Sequence, residues 1–182
     1  NMPKENIERA IKKGIGELAG ENLEEVLFEG FGPEGIAIII EGITDNKNRT
    51  LGEIKAILSR YRGKLAGEGA VRWMFDRKGL IAVKRSNKLK EELELLAIEA
   101  GAQDVKWQED MLEVYTKPED LENVKKALEE KNLEIDSASL EWAAKEEVAL
   151  SDKEKEMAQN LFEALDENDA VQDIYSNLKF TI

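Results

Sequence analysis

The sequence predicts an α+β protein in which a short helical remnant precedes two α/β domains, one inserted into the other. Apolar runs of strand length alternate with segments of helical periodicity. The order strand, helix, strand, strand, helix, strand is completed between Gly79 and Trp142, and the elements flanking that stretch form a second, similar set.

Residues 3–16 read as a helix: Pro3 suits a first turn, Ile7, Ala10 and Ile11 form an apolar stripe, and Gly14 and Gly16 mark the stop. A helix this short is marginal alone in water and needs a partner. Asn1 is not a natural start, so a preceding segment is expected. Val26–Phe31 and Ile36–Ile43 are apolar runs joined by Gly32-Pro33-Glu34-Gly35, a hairpin signature. Thr50 and Glu53 have capping-box spacing and open a helix whose inner side carries Leu51, Ile54, Ile57, Leu58 and Tyr61. Ala70–Phe75 alternates as a strand would, with Val71, Trp73 and Phe75 on the core face and Arg72 and Met74 opposite.

The inserted stretch begins with a strand, Leu80–Lys84. A helix follows, bearing Leu89, Leu93, Leu96 and Ala100 and closed by Gly101. Val105–Trp107 and Met111–Tyr115 form a hairpin that turns at Glu109-Asp110. Thr116 and Glu119 open a helix carrying Leu121, Val124 and Leu128, and a strand from Leu133 to Trp142 completes a ferredoxin-like βαββαβ module. Ser151 and Glu154 cap a helix lined by Met157, Leu161, Phe162 and Leu165, and a last strand lies near Ala170–Tyr175. The expected domains are 21–78 with 143–182, and 79–142 inserted between them.

Hydrophobic residues make up 42% and charged ones 36%, a globular rather than disordered composition. With no Cys and no His, disulfides, usual zinc sites and histidine–serine relays are excluded. The carboxylate pairs Glu24-Glu25, Glu91-Glu92 and Glu146-Glu147 are sequence neighbours and read as solvated surface. No enzyme activity, cofactor or metal is therefore expected. No apolar run approaches the roughly 20 residues that span a bilayer, and no signal peptide is evident, so a cytoplasmic protein is expected.

The net charge of −13 argues against a general nucleic-acid binder. Residues 44–78 are the exception, with nine basic residues against four acidic. Within them Thr44-Asp45-Asn46-Lys47-Asn48-Arg49-Thr50 joins a strand to a helix. A helix start accepts anions, and Lys47 and Arg49 add two cations for phosphate oxygens. A capped turn in which Asp45, Asn46 and Thr50 satisfy backbone groups accounts for the same residues, and Asn48 goes with whichever reading holds. Alternating cations rule out a calcium loop. Gly32, Pro33 and Gly35 lead into a strand, which suits a hairpin turn rather than a phosphate cradle. In Arg72-Trp73-Met74-Phe75-Asp76-Arg77-Lys78, aromatic stacking on bases is conceivable. The alternation favours Trp73 and Phe75 in the core, leaving Arg72, Arg77 and Lys78 as contacts. Lys4, Arg9, Lys12 and Lys13 on the first helix form either a solvated face or a docking surface.

Four segments together resemble the YebC/PmpR family. Asn1 to Gly14 is similar to the end of that family's N-terminal domain. Phe28-Glu29-Gly30-Phe31-Gly32-Pro33-Glu34-Gly35 resembles its Tyr-Glu-Gly-Tyr-Gly-Pro-Gly-Gly stretch, Thr44 to Thr50 its Thr-Asp-Asn-Arg-Asn-Arg-Thr motif, and Val71 to Phe75 its Val-Ala-Trp-Met-Phe strand. Glu34 stands where the family usually has Gly, adding negative charge; Lys47 stands where it usually has Arg, keeping the cation without the guanidinium fork. The resemblance implies a three-domain protein, with residues 1–20 ending a helical N-terminal domain whose basic earlier part is missing from this chain. It also implies a non-enzymatic nucleic-acid-associated regulator. A ribosome-binding, rRNA-contacting translation factor is favoured, because the basic island is small for sequence reading and no groove-reading helix is apparent. The alternatives are a DNA-binding transcriptional regulator and a small-molecule-sensing ferredoxin-like module.

Overall fold

The structure, a computed structural model, describes residues 23–85 and 89–179. The helix expected over residues 3–16, with Lys4, Arg9, Lys12 and Lys13, lies outside them. The described chain is α+β, with two four-stranded sheets. It divides into two compact units: one takes the chain up to Met74 and again from Ala144, the other is Phe75–Ala143.

In the first unit, β1 (Glu24–Phe31) and β2 (Ala37–Thr44) pair antiparallel with Phe31 opposite Ala37. The 3₁₀ turn Pro33–Gly35 reverses the chain, with Glu34 at φ 54 and Gly35 at φ 79. β3 (Lys64–Ala66) pairs with β1 and β8 (Val171–Ser176) with β2, giving the order β3-β1-β2-β8. β2 and β8 shift register at Glu41/Gly42; a Cβ on Gly42 would lie 2.1 Å from the Ala170 carbonyl oxygen, so only glycine admits that approach. Helices α1 (Lys47–Arg60) and α4 (Asp152–Asp166) bury Ile54, Leu58, Ala158, Leu161 and Leu165 against Val26, Phe28, Ile38 and Ile40 of the sheet.

Strand side chains alternate, so Glu29 and its ladder partner Ile39 face away from those helices. Ile39 is fully buried all the same, because the segment 69–72 is bound to that face through Glu29. This overturns the strand expected over Ala70–Phe75. Arg72–Met74 is a 3₁₀ turn, in which Met74 N–H donates to the Val71 carbonyl (2.9 Å). The N–H groups of Val71 and Arg72 go to a carboxylate instead of a sheet ladder. Trp73, expected in the core, is 67% exposed, while Val71 and Phe75 are buried as expected.

The start of α1 also differs. Its N-cap is Asn46, whose side chain accepts from Arg49 N–H at 3.1 Å, and Thr50 lies inside the helix. The buried stripe is Thr50, Ile54 and Leu58, with Ile57 and Tyr61 packed beside it; Leu51 is exposed. In α4 the expected cap is present: the Glu154 carboxylate accepts from Ser151 N–H (2.8 Å) and Ser151 hydroxyl (2.7 Å).

The second unit runs β4 (Phe75–Lys84), α2 (Lys90–Glu99), β5 (Asp104–Gln108), β6 (Met111–Thr116), α3 (Leu121–Glu130) and β7 (Ile135–Ala144), with sheet order β5-β6-β4-β7. Its core joins Ile81, Val83, Leu112 and Val114 to Leu93, Ala97, Val124 and Leu128. Leu89 precedes α2 and is exposed, so it is not part of the buried stripe. The expected Thr116–Glu119 cap does not form. Thr116 is buried with its hydroxyl donating to the Lys117 carbonyl (2.8 Å), and the 3₁₀ turn Pro118–Asp120 leads into α3.

Candidate nucleic-acid interface

The turn between β2 and α1 is wired from within. Thr44 and Thr50, both buried, share a hydrogen bond between hydroxyl oxygens 2.8 Å apart, and Asn46 N–H donates to Thr44 Oγ1 at 3.0 Å. Strand end and first helical turn are thereby tied together, so this backbone is set before any partner arrives. Asp45, Asn46, Lys47, Asn48 and Arg49 are all exposed. Arg49 is not a bare cation: its guanidinium lies 2.5 Å from Asp45 and 3.8 Å from Glu53. Exposed pairs of this kind are weak and exchange readily for another anion. Lys47 makes no such pair among the described residues.

Arg72 is held far more tightly. Its guanidinium reaches Glu29 at 3.1 Å and Glu68 at 3.7 Å, and Glu29 is 2% exposed. The Glu29 carboxylate also accepts from the N–H groups of Gly69 (2.7 Å), Val71 (2.9 Å) and Arg72 (2.9 Å). Burial would raise the Glu29 pKa, but the three N–H donors and the Arg72 charge outweigh it and hold the group below its ordinary value. Glu29 is therefore an anion that organises 69–72, and Arg72 is its counter-ion. Sequence reading missed Glu29, although an acid inside the apolar run Val26–Phe31 was a visible signal.

Arg77 and Lys78 lie on β4 in the second unit, half-buried. The Arg77 guanidinium sits 4.9 Å from the Trp142 ring centroid and the Lys78 ammonium 5.9 Å from that of Tyr115. Tyr115 is raised well above the usual phenol value by burial first, then by its hydrogen bond to Glu113 (2.7 Å). Within the first unit the basic residues of 44–72 are not one patch. Lys47 and Arg49 stand at the start of α1, Arg60, Arg62 and Lys64 at its end, and Arg72 is engaged by acids. Of the turn residues, Gly32 and Pro33 are buried, Glu34 and Gly35 exposed, and Met74 half-buried.

These features define a two-unit α+β protein with charged surface turns. Among the described residues no three acidic side chains are placed to hold a metal ion, and no helix is long and apolar enough to cross a membrane. A family model described as the TACO1/YebC second and third domain matches residues 23–178, and the chain belongs to that family. It is 47% identical over 180 residues to a probable transcriptional regulatory protein of Thermoanaerobacter pseudethanolicus, covering 98% of this chain and 73% of the relative. It is 46% identical over 181 residues to another so named from Thermotoga maritima, covering 98% and 71%. The crystal structure of a conserved hypothetical protein from Aquifex aeolicus superimposes with a TM-score of 0.84 at 42% identity, covering 98% of this chain and 74% of that one.

Proposed function

We propose that the chain is a non-enzymatic, nucleic-acid-associated regulator of gene expression that acts on translation by contacting ribosomal RNA. The observation that carries this is where most exposed cations of the basic stretch 44–64 stand: Lys47 and Arg49 at the start of α1 and Arg60, Arg62 and Lys64 at its end, with Lys55 the one between them. Cations on turns suit contact with a phosphate backbone; reading a DNA groove calls for a row of base-contacting side chains on a helix or a β-ribbon. The outer side of α1 instead presents Gly52, Lys55, Ala56 and Ser59. Two ferredoxin-like domains, one interrupting the other, would display such turns on stable sheets.

The test is co-sedimentation with ribosomes. The chain should pellet with them and be released as potassium chloride is raised, because phosphate contacts release counterions. Replacing Lys47 and Arg49 together by Gln should lower the bound fraction. Arg72 is left intact, since its loss would strand the Glu29 carboxylate. A chain that ignores ribosomes at every salt concentration defeats the reading.

The names of the relatives favour DNA instead, as probable transcriptional regulatory proteins. A promoter footprint that survives excess unrelated DNA would establish that reading.

A further inference from the structure

A cleft of about 360 Å³ lies at the far end of α1 from the 44–50 turn, between the 31–35 hairpin turn on one side and Arg62-Gly63-Lys64 on the other. We infer that this cleft binds the phosphodiester backbone of an unpaired nucleic-acid strand, seating one nucleotide against Phe31, Arg62 and Lys64. The inference rests on the proposed function and places a contact within it.

The cations here differ from the two other arginines described in the first unit. Arg49 and Arg72 are paired with acids. Arg60, Arg62 and Lys64 have no acidic partner among the described residues, and the Lys64 ammonium lies 5.3 Å from the centroid of the Phe31 ring. Glu34 is the one acid lining the cleft, so its rim is net positive in a chain of charge −13. Arg62 sits at φ 62, just past the end of α1, a left-handed conformation where glycine is the usual residue. The chain holds an arginine in that conformation, which presents a guanidinium just beyond the helix end. Gly63 fixes the wall: its Cβ would come 2.5 Å from the Phe31 carbonyl oxygen, so this strand must pass directly against the hairpin. Gly35 opens the rim, with nothing within 4 Å of where its Cβ would be.

The opposing effect is the carbonyl end of α1, which repels anions. It is partly closed, because Tyr61 N–H donates to the carbonyls of Ile57 and Leu58 and Gly63 N–H to that of Leu58 (2.8 Å). The volume is near the lower end of ligand sites, roughly 300–1,000 Å³, which suits one nucleotide of a strand passing through an open cleft. The guanidinium fork matches phosphate oxygens, and the aromatic ring offers an apolar contact to sugar or base.

The experiment measures fluorescence anisotropy of the full 182-residue chain with labelled single-stranded RNA, the matching DNA strand and a duplex of that sequence, across a salt series. The double variant Arg62→Gly with Lys64→Gln removes both charges and gives the left-handed position its preferred residue, so its fold should hold; a melting curve checks this. Binding of the single strands should fall, with the slope of log affinity against log salt shallower by about 1.4. Glu34→Asn suits φ 54, removes the one acid and should tighten binding. The tighter of RNA and DNA identifies the source of the strand. Unchanged affinity and slope in the double variant, or a preference for duplex, overturns the cleft alone. Absence of binding by the wild-type chain to any of the three overturns the nucleic-acid reading and the cleft with it.

Discussion

A carboxylate inside an apolar strand needs compensation, and Glu29 finds it in three backbone N–H groups and one guanidinium. Because its pKa is depressed, the stability it contributes is complete above the unfolded carboxyl value near 4.5 and is lost as pH falls through the lower folded value. Glu29→Gln should cost about 2–4 kcal/mol at neutral pH in urea unfolding, since Arg72 loses its counter-ion and buried N–H groups lose acceptors. The variant's stability should also decline less than the wild type's on acidification through that window. Two aromatics near Arg72 make a second contrast. Phe75→Ala should cost about 3–4 kcal/mol through a buried cavity, whereas Trp73→Ala should cost under about 1 kcal/mol, because its indole lies in solvent and gives one hydrogen bond, to the Ala70 carbonyl. Equal losses would return Trp73 to the core. Period-2 alternation placed both rings alike; it could not show that Glu29 draws off the N–H groups preceding Trp73.

At the scale of elements, two helices with the same spacing signal are capped differently. Ser151 and Glu154 form the reciprocal cap the sequence announces, and the Ser151 hydroxyl and N–H hold the Glu154 carboxyl below its usual value. Thr50 and Glu53 carry the same spacing, yet Thr50 is spent on Thr44 and the cap is Asn46. Asn46→Ala should therefore cost about 1 kcal/mol, read from the unfolding midpoint. Thr50→Val should cost as much or more by removing a buried hydroxyl partner. A Thr50 variant harmless beside a damaging Glu53→Ala would restore the earlier cap. A capping box is a local signal, and it fails where a neighbouring strand end competes for the hydroxyl.

For the whole molecule, the two points where the chain leaves and re-enters the first unit are adjacent, because Lys145 N–H donates to the Met74 carbonyl at 2.9 Å. Each unit has its own buried cluster. Replacing Phe75–Ala143 by a short Gly-rich turn should therefore leave the first unit folded, with a cooperative thermal transition and dispersed amide resonances. A molten product would show that the units depend on each other.

The sequence alone determined the α+β class, the hairpin at Gly32 to Gly35, the four helices and most strands of the described residues, and the family, because each follows from periodicity, turn residues or contiguous motifs. It also located a basic island by counting charges. Only the tertiary structure decided what those charges do. It gave Arg72 to Glu29 and Arg49 to Asp45, and left Arg62 and Lys64 beside an open cleft. Charge is counted along the chain, but its availability depends on which acids folding brings within about 4 Å of it, and Glu29 and Arg72 are more than forty residues apart in sequence.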